Sequence, residues 1–153
     1  MAGEDARLAT IADARDVARM LHAFNLEFAT ATPRAEVLAE RLATLLDRDD
    51  VFAIVAGSPP NAVALVTLRP NVWAGTVALL DELYVEPDAR SGGIGAAVLA
   101  AVAAEATRRG ATELEVEVDE PDVDAQRFYD RHGLPLADVE TGERAFVLRR
   151  ALP

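Results

Sequence analysis

Three glycines, Gly92, Gly93 and Gly95, close the stretch Pro87-Asp88-Ala89-Arg90-Ser91-Gly92-Gly93-Ile94-Gly95, directly after an arginine and a serine. Residues without side chains let backbone N–H groups approach an anion closely. A helix starting at once afterwards adds its unpaired N-terminal donors and the positive end of its dipole. The sequence supplies such a helix, because Ile94, Ala97, Val98, Ala101 and Val102 recur at helical spacing, and Val77 to Val85 upstream is apolar and β-compatible. A strand, a glycine loop and a helix in that order make a cradle for phosphate. The expected ligand is a phosphate-bearing cofactor.

Spacing separates the phosphate loops that could claim these residues. A P-loop needs Gly-Lys-Ser/Thr after its second glycine, and this chain contains no lysine. A dinucleotide fingerprint starting at Gly93 would put Val98 where a small residue lets helix and strand pack closely, and would lie in mid-chain. The remaining pattern is Arg-x-x-Gly-x-Gly, met by Arg90, Gly93 and Gly95 and preceded by Leu83-Tyr84-Val85-x-Pro87. It resembles the acetyl-coenzyme A loop of the GNAT superfamily of N-acetyltransferases. Further on, Asp122-Val123-Asp124-Ala125-Gln126-Arg127-Phe128-Tyr129-Asp130-Arg131-His132-Gly133-Leu134 is similar to the family's second signature, Asn-x-x-Ala-x-x-Phe/Leu-Tyr-x-x-x-Gly-Phe. Asp122 replaces the asparagine, so the donor of the amide is missing, and Leu134 replaces the phenylalanine.

The resemblance implies a single GNAT domain over residues 1–153, an α/β fold with a mixed sheet in the order β-α-α-β-β-β-α-β-α-β-β. In that family the fourth and fifth strands splay at a bulge and the pantetheine arm of acetyl-CoA lies between them like an extra strand. The resemblance therefore assigns the arm to backbone groups of Leu83, Tyr84 and Val85, and the pyrophosphate to Arg90, Ser91, Gly92, Gly93, Ile94, Gly95 and Ala96. It also implies an amine acceptor. With a reference pKa near ~10.4, a lysine-like amine is neutral in about one molecule in a thousand at neutral pH, so a base is useful. By the resemblance Glu82 is that base, and Tyr129 the donor to the departing thiolate. Reference values of ~10 for tyrosine and ~8.5 for a thiol make that transfer uphill by about 2 kcal/mol in water, which leaves a hydrogen bond from Tyr129 as the alternative. In a regular strand Asp81 points to the face opposite Glu82, and a bulge would exchange them. A different class of reading is a non-catalytic acyl-CoA-binding or interaction module of the same fold.

Composition narrows the partners. A net charge of −11 argues against nucleic acid, whose phosphates need a basic surface, and favours a cationic small-molecule acceptor. With no cysteine, disulfides, thiolate metal sites and an acyl-cysteine intermediate are excluded, which points to direct transfer in a ternary complex. Two histidines, His22 and His132, are too few for a histidine-rich metal site, and no metal is expected. No apolar stretch reaches membrane-span length, and the acidic start Met1-Ala2-Gly3-Glu4-Asp5 lacks the plan of a secretory signal, so a cytoplasmic location is expected. Dimers are common in the resembled family, which extends to a homodimer here.

The elements that position these residues can be read in turn. Arg7 to Ile11 reads as a strand; Asp13 reads as the cap of a helix carrying Val17, Met20, Leu21, Phe24 and Phe28. Thr32-Pro33 reads as the start of a second helix with the stripe Leu38, Leu42, Leu45 and Leu46. Val51 to Ala56 and Ala62 to Leu68 read as a hairpin around Gly57-Ser58-Pro59-Pro60-Asn61, followed by a strand from Thr76 to Val85. Thr112 to Val118 alternates, with Glu113, Glu115, Glu117 and Asp119 on one face. Two closing strands, 136–139 and 144–149, are expected around Glu140-Thr141-Gly142-Glu143.

Overall fold

A computed structural model of the protein describes residues 6–153, so the acidic opening pentapeptide lies outside the described residues. Two compact units are present, divided between Leu114 and Glu115. The first begins with β1 (Arg7–Leu8), followed by α1 (Ala14–Glu27), α2 (Ala35–Leu46), β2 (Val51–Ala56), β3 (Ala62–Asn71), β4 (Gly75–Val85) and α3 (Ile94–Arg108). Strand β5 (Glu113–Val116) comes next, and α4 (Val123–Arg131) belongs to the second unit. The sheet runs β1-β2-β3-β4-β5 in chain order, and the first four strands pair antiparallel.

Every residue of β2 is buried, the signature of a strand covered on both faces. On one face Val51, Ala53, Val55, Val63, Leu65 and Tyr84 pack with Val17, Met20 and Leu42 of α1 and α2. The alternate residues, Phe52, Ile54, Ala64 and Val66, are equally buried, and α3 packs on β2, β3 and β4. The apolar periodicity of α1 thus does what its spacing predicts. Phe28 is the exception: it follows the helix and is exposed, with its ring edge-on to Phe24 at 5.2 Å.

Asp13 does not cap α1 with its side chain. It ends a 3-10 turn (Ile11–Asp13), and its carboxylate reaches back to the Thr10 N–H at 2.8 Å and takes both guanidinium nitrogens of Arg7 at 2.7 and 2.9 Å. The Arg7 hydrogen bonds, aided by the Thr10 amide and opposed by burial, hold the Asp13 carboxyl at about 2. A lowered folded-state value stabilises above the unfolded pKa and is lost as pH falls through the folded one. Asp13→Asn is therefore expected to cost about 1–2 kcal/mol at pH 7, allowing for the solvent around Arg7, with the gap closing between about pH 4 and pH 2. Urea unfolding across that range measures it.

The second helix also starts later than its sequence suggests. Thr32 donates its hydroxyl to the Pro33 carbonyl at 3.0 Å instead of capping an amide, and Arg34, in extended conformation, precedes the first turn at Ala35.

Within the second unit, Asp122 caps α4 by accepting from the Ala125 N–H at 3.0 Å. The turn read from the sequence forms: Asp138 accepts from the Glu140 and Thr141 amides at 2.9 and 2.8 Å, and the Asp138 N–H donates to the Glu143 carbonyl at 2.8 Å. The two closing strands do not form. A strand exists by its ladder, and neither 136–139 nor 144–149 has one; Phe146 and Leu148 are 75% and 92% exposed. An ion pair between Arg149 and Glu117 ties the tail to the start of the unit.

Candidate active site

The glycine loop follows a single 3-10 turn (Pro87–Ala89) that leaves β4 and turns the chain toward α3. Ser91 and Gly93 both sit at positive φ, 69° and 82°. Gly93 is the residue before the first turn of α3, and no side chain caps that helix. The first-turn amides of Ile94, Gly95 and Ala96 therefore have no intrahelical acceptor. A Cβ added at Gly93 would meet nothing within 4 Å, so the space beside that residue is open. Anion binding is the chemistry this arrangement suits.

Arg90 is held differently from the rest of the loop. Its guanidinium makes a two-pronged bond to Glu27, the last residue of α1, at 2.6 and 2.8 Å, and its Nε donates to the Val85 carbonyl at 2.9 Å. Its own N–H reaches the Pro87 carbonyl at 3.3 Å. The guanidinium also lies 5.6 Å from the centre of the buried Tyr84 ring. Arg90 draws the Glu27 carboxyl below the ordinary range, whereas burial, then the Glu27 charge, pushes the Tyr84 phenol up. Glu27 carried no signal in the sequence, since nothing local links residues 63 apart.

Strand β4 carries the carboxylate pair. Glu82 is opposite Leu65 on β3, but the next pair is Val66 with Leu80, so Asp81 is one residue too many: a β-bulge. The bulge overrides the alternation expected of Asp81 and Glu82. Glu82 shares the face of Leu65; Asp81 bonds the Thr67 hydroxyl at 2.5 Å, and Thr67 is two residues along β3 on that same face. Both carboxylates thus lie toward α1 and α2. Glu82 is half-buried with no hydrogen-bond or ion-pair partner among the described residues, and burial, then the Asp81 charge, raises its pKa. Leu83, Tyr84 and Val85 pair with Ala64, Val63 and Ala62 on one side. On the other side, the Thr112 N–H meets the Thr76 carbonyl at 3.0 Å, so β5, with 4 residues against 11 in β4, begins beside the far end of β4.

The model of the Acetyltransferase (GNAT) family matches residues 17–134. This chain belongs to the GNAT acetyltransferase family. A solved protein of Arthrobacter sp. FB24 assigned to the acetyltransferases is 44% identical, with a TM-score of 0.90 over 99% of this chain and 98% of its own. An integron cassette protein from the Cole Harbour Salt Marsh metagenome is 25% identical, with a TM-score of 0.77 over 97% and 91%. The aminoglycoside N-acetyltransferase AAC(6')-Iy in complex with CoA shares the fold at 17% identity, with a TM-score of 0.77 over 97% and 95%. A comparison with curated proteins gave no match.

The second GNAT signature falls on α4. Tyr129 is buried there, its ring edge-on to Phe128 at 5.2 Å, and His132 follows the helix with its Nδ1 2.7 Å from the Phe128 carbonyl. His22 and Trp73 have local contacts that account for them. His22 lies with Nδ1 3.0 Å from the Pro33 carbonyl, and Trp73, 92% exposed, tops a turn in which Asn71 accepts from the Trp73 and Ala74 amides at 2.9 Å each. A cleft of about 410 Å³ that the sequence did not reveal is lined by Asp16, Arg19, Pro60, Asn61 and Glu86 among others. Arg19 pairs with Glu86 there and donates to the Pro60 carbonyl at 3.0 Å. None of the loop residues 90–96 lines this cleft. No helix among the described residues is long and apolar enough to cross a membrane.

Proposed function

We propose that this GNAT protein moves the acetyl group of acetyl-CoA to the amine nitrogen of a small cationic acceptor, directly and within a ternary complex. The observation that carries the reading is Glu82, a half-buried carboxylate with no hydrogen-bond or ion-pair partner among the described residues, beside a bulge on the strand that runs into the glycine loop before the uncapped α3. A carboxylate tied into an ion pair would be a poor base; a free one of raised pKa is a better one. The amides of 91–96 hold the diphosphate of the cofactor, and backbone groups of Leu83, Tyr84 and Val85 hold its pantetheine arm. Arg90 contributes through Glu27, fixing the end of α1 against the loop.

In the reaction Glu82 removes a proton from the acceptor ammonium, directly or through water, and the freed nitrogen attacks the thioester carbonyl. The C–S bond breaks with its electrons on sulfur, and the second proton of the attacking nitrogen passes to that thiolate, either directly, with Tyr129 donating a hydrogen bond to the sulfur, or through Tyr129, which gives its hydroxyl proton to sulfur and takes the nitrogen's in return. No cysteine exists to carry the acetyl group as an intermediate, which favours direct transfer. The charge of −11 enriches cations near the surface, and amines such as polyamines or aminoglycosides fit that field. The reading places the protein in the cytoplasm, where acetyl-CoA is found.

Two measurements test it in sequence. Calorimetry should show acetyl-CoA binding, and a free-thiol release assay over a panel of amines should show turnover with one class of cationic acceptor. Binding without thiol release from any amine would turn the reading toward a non-catalytic acyl-CoA-binding module. No binding at all would end both.

A further inference from the structure

The bulge in β4 brings a second carboxylate to the face of Glu82, and that carboxylate is neither free nor idle. Asp81 is exposed and bonded through Oδ2 to the Thr67 hydroxyl at 2.5 Å. This bond spans the irregularity itself, because Thr67 lies opposite Leu79 while Leu65 lies opposite Glu82, and the surplus residue between them is Asp81. A bulged residue is left out of the regular ladder, so a side-chain bond across the irregularity helps to fix it.

We propose that Asp81, clamped by Thr67, is the positioning residue for Glu82: it pins the bulge that turns Glu82 toward α1 and α2, and sets a fixed negative charge beside it. The proposal rests on Glu82 being the base. A neighbouring negative charge makes a carboxylate hold its proton more tightly, and a base that must take a proton from an ammonium gains from that. Burial acts on Glu82 in the same direction. The charged and titratable groups of the helices packed on this face are Arg15, Asp16, Arg19, His22 and Glu27 of α1 and Glu36, Glu40 and Arg41 of α2. Arg19 pairs with Glu86, Glu27 with Arg90, and His22 lies against the Pro33 carbonyl. Arg69, two residues beyond Thr67 on β3, has a partner of its own. Asp81 is the charged neighbour that acts on Glu82.

The test compares Asp81→Asn, Thr67→Val, Thr67→Ser and Glu82→Gln, read by the pH dependence of kcat/KM and by carbon-13 NMR titration of the Glu82 carboxyl. The amide of Asp81→Asn keeps the shape and removes the charge. It is expected to move the Glu82 titration and the acidic limb of the rate profile together to lower pH by about half a unit, and to lower plateau kcat about 3–10-fold. Thr67→Val keeps the charge and frees the clamp, so kcat should fall about as far with KM for acetyl-CoA unchanged, and Thr67→Ser should restore it. If Asp81→Asn leaves the Glu82 titration where it was, or Thr67→Val has wild-type kcat, the proposal is overturned while the base assignment stands. If Glu82→Gln keeps both the rate and the acidic limb, the base assignment fails first, and the NMR titration shows whether Asp81 still acts on Glu82. Circular dichroism of each variant separates these effects from misfolding.

Discussion

Glu82→Gln is expected to lower kcat/KM by about 100-fold or more at pH 7–8 while leaving acetyl-CoA affinity within about twofold and making the protein more stable. The first effect follows from general base catalysis, which contributes about 10²–10⁴ where a positioned side chain takes the proton. An amide has the shape of the carboxylate and cannot accept a proton at neutral pH. The second follows from the direction of the Glu82 shift. Burial raises its pKa above that of the unfolded chain, so the fold disfavours the ionised form. That penalty is absent below the unfolded value of about 4.3, grows as pH rises through it, and is complete above the folded value. Glutamine carries no charge to desolvate. After allowance for the solvent that reaches a half-exposed group, the variant should melt about 1–3 °C higher at pH 7 and at the same temperature as the parent near pH 4. Thiol-release kinetics and melting curves at the two pH values check both halves. A variant that is inactive and less stable at pH 7 would mark Glu82 as a structural carboxylate instead.

The parts of this molecule that were legible in the sequence are those whose cause is local. The runs 51–56 and 62–68 became β2 and the start of β3 because they are apolar, save for Thr67, between turn residues, and Gly57 takes the positive φ that its turn needs. The break between β4 and α3 could be read because three glycines in a short span suit neither strand nor helix, and α3 starts at Ile94 where the apolar spacing begins. What escaped is what depends on a partner distant in the chain. The bulge at Asp81 arises from the register of β3 against β4, and no residue within β4 announces it. Arg90 meets Glu27 across 63 residues, and Asp13 turns back to Arg7 instead of forward into α1 because a bidentate ion pair outcompetes a single cap. The closing strands failed for the same reason in reverse: the apolar run within 144–149 is compatible with a strand, but the ladder that completes one must come from elsewhere.

Gly93→Ala separates the proposed anion-binding role of the loop from its folding role, and Gly110→Ala supplies the control. Both glycines have positive φ, 82° and 89°, and in both an added Cβ meets nothing within 4 Å. Each alanine thus pays only the left-handed backbone cost of about 1 kcal/mol, which in a chain of this size lowers the melting temperature by roughly 2–4 °C. The two positions flank opposite ends of α3, a helix of 15 residues and so about 22 Å long. At Gly110 the new methyl group stands beyond the C-terminus, where the helix repels anions. At Gly93 it stands at the residue just before the uncapped first turn of α3, the end of the helix that attracts anions and that the proposed diphosphate site uses. Calorimetry with CoA should therefore show affinity reduced about 10–100-fold in Gly93→Ala and unchanged in Gly110→Ala, with both melting alike. Equal losses in the two variants would mean that binding follows overall stability, and an unchanged affinity in Gly93→Ala would mean that the diphosphate is held away from the first turn of α3.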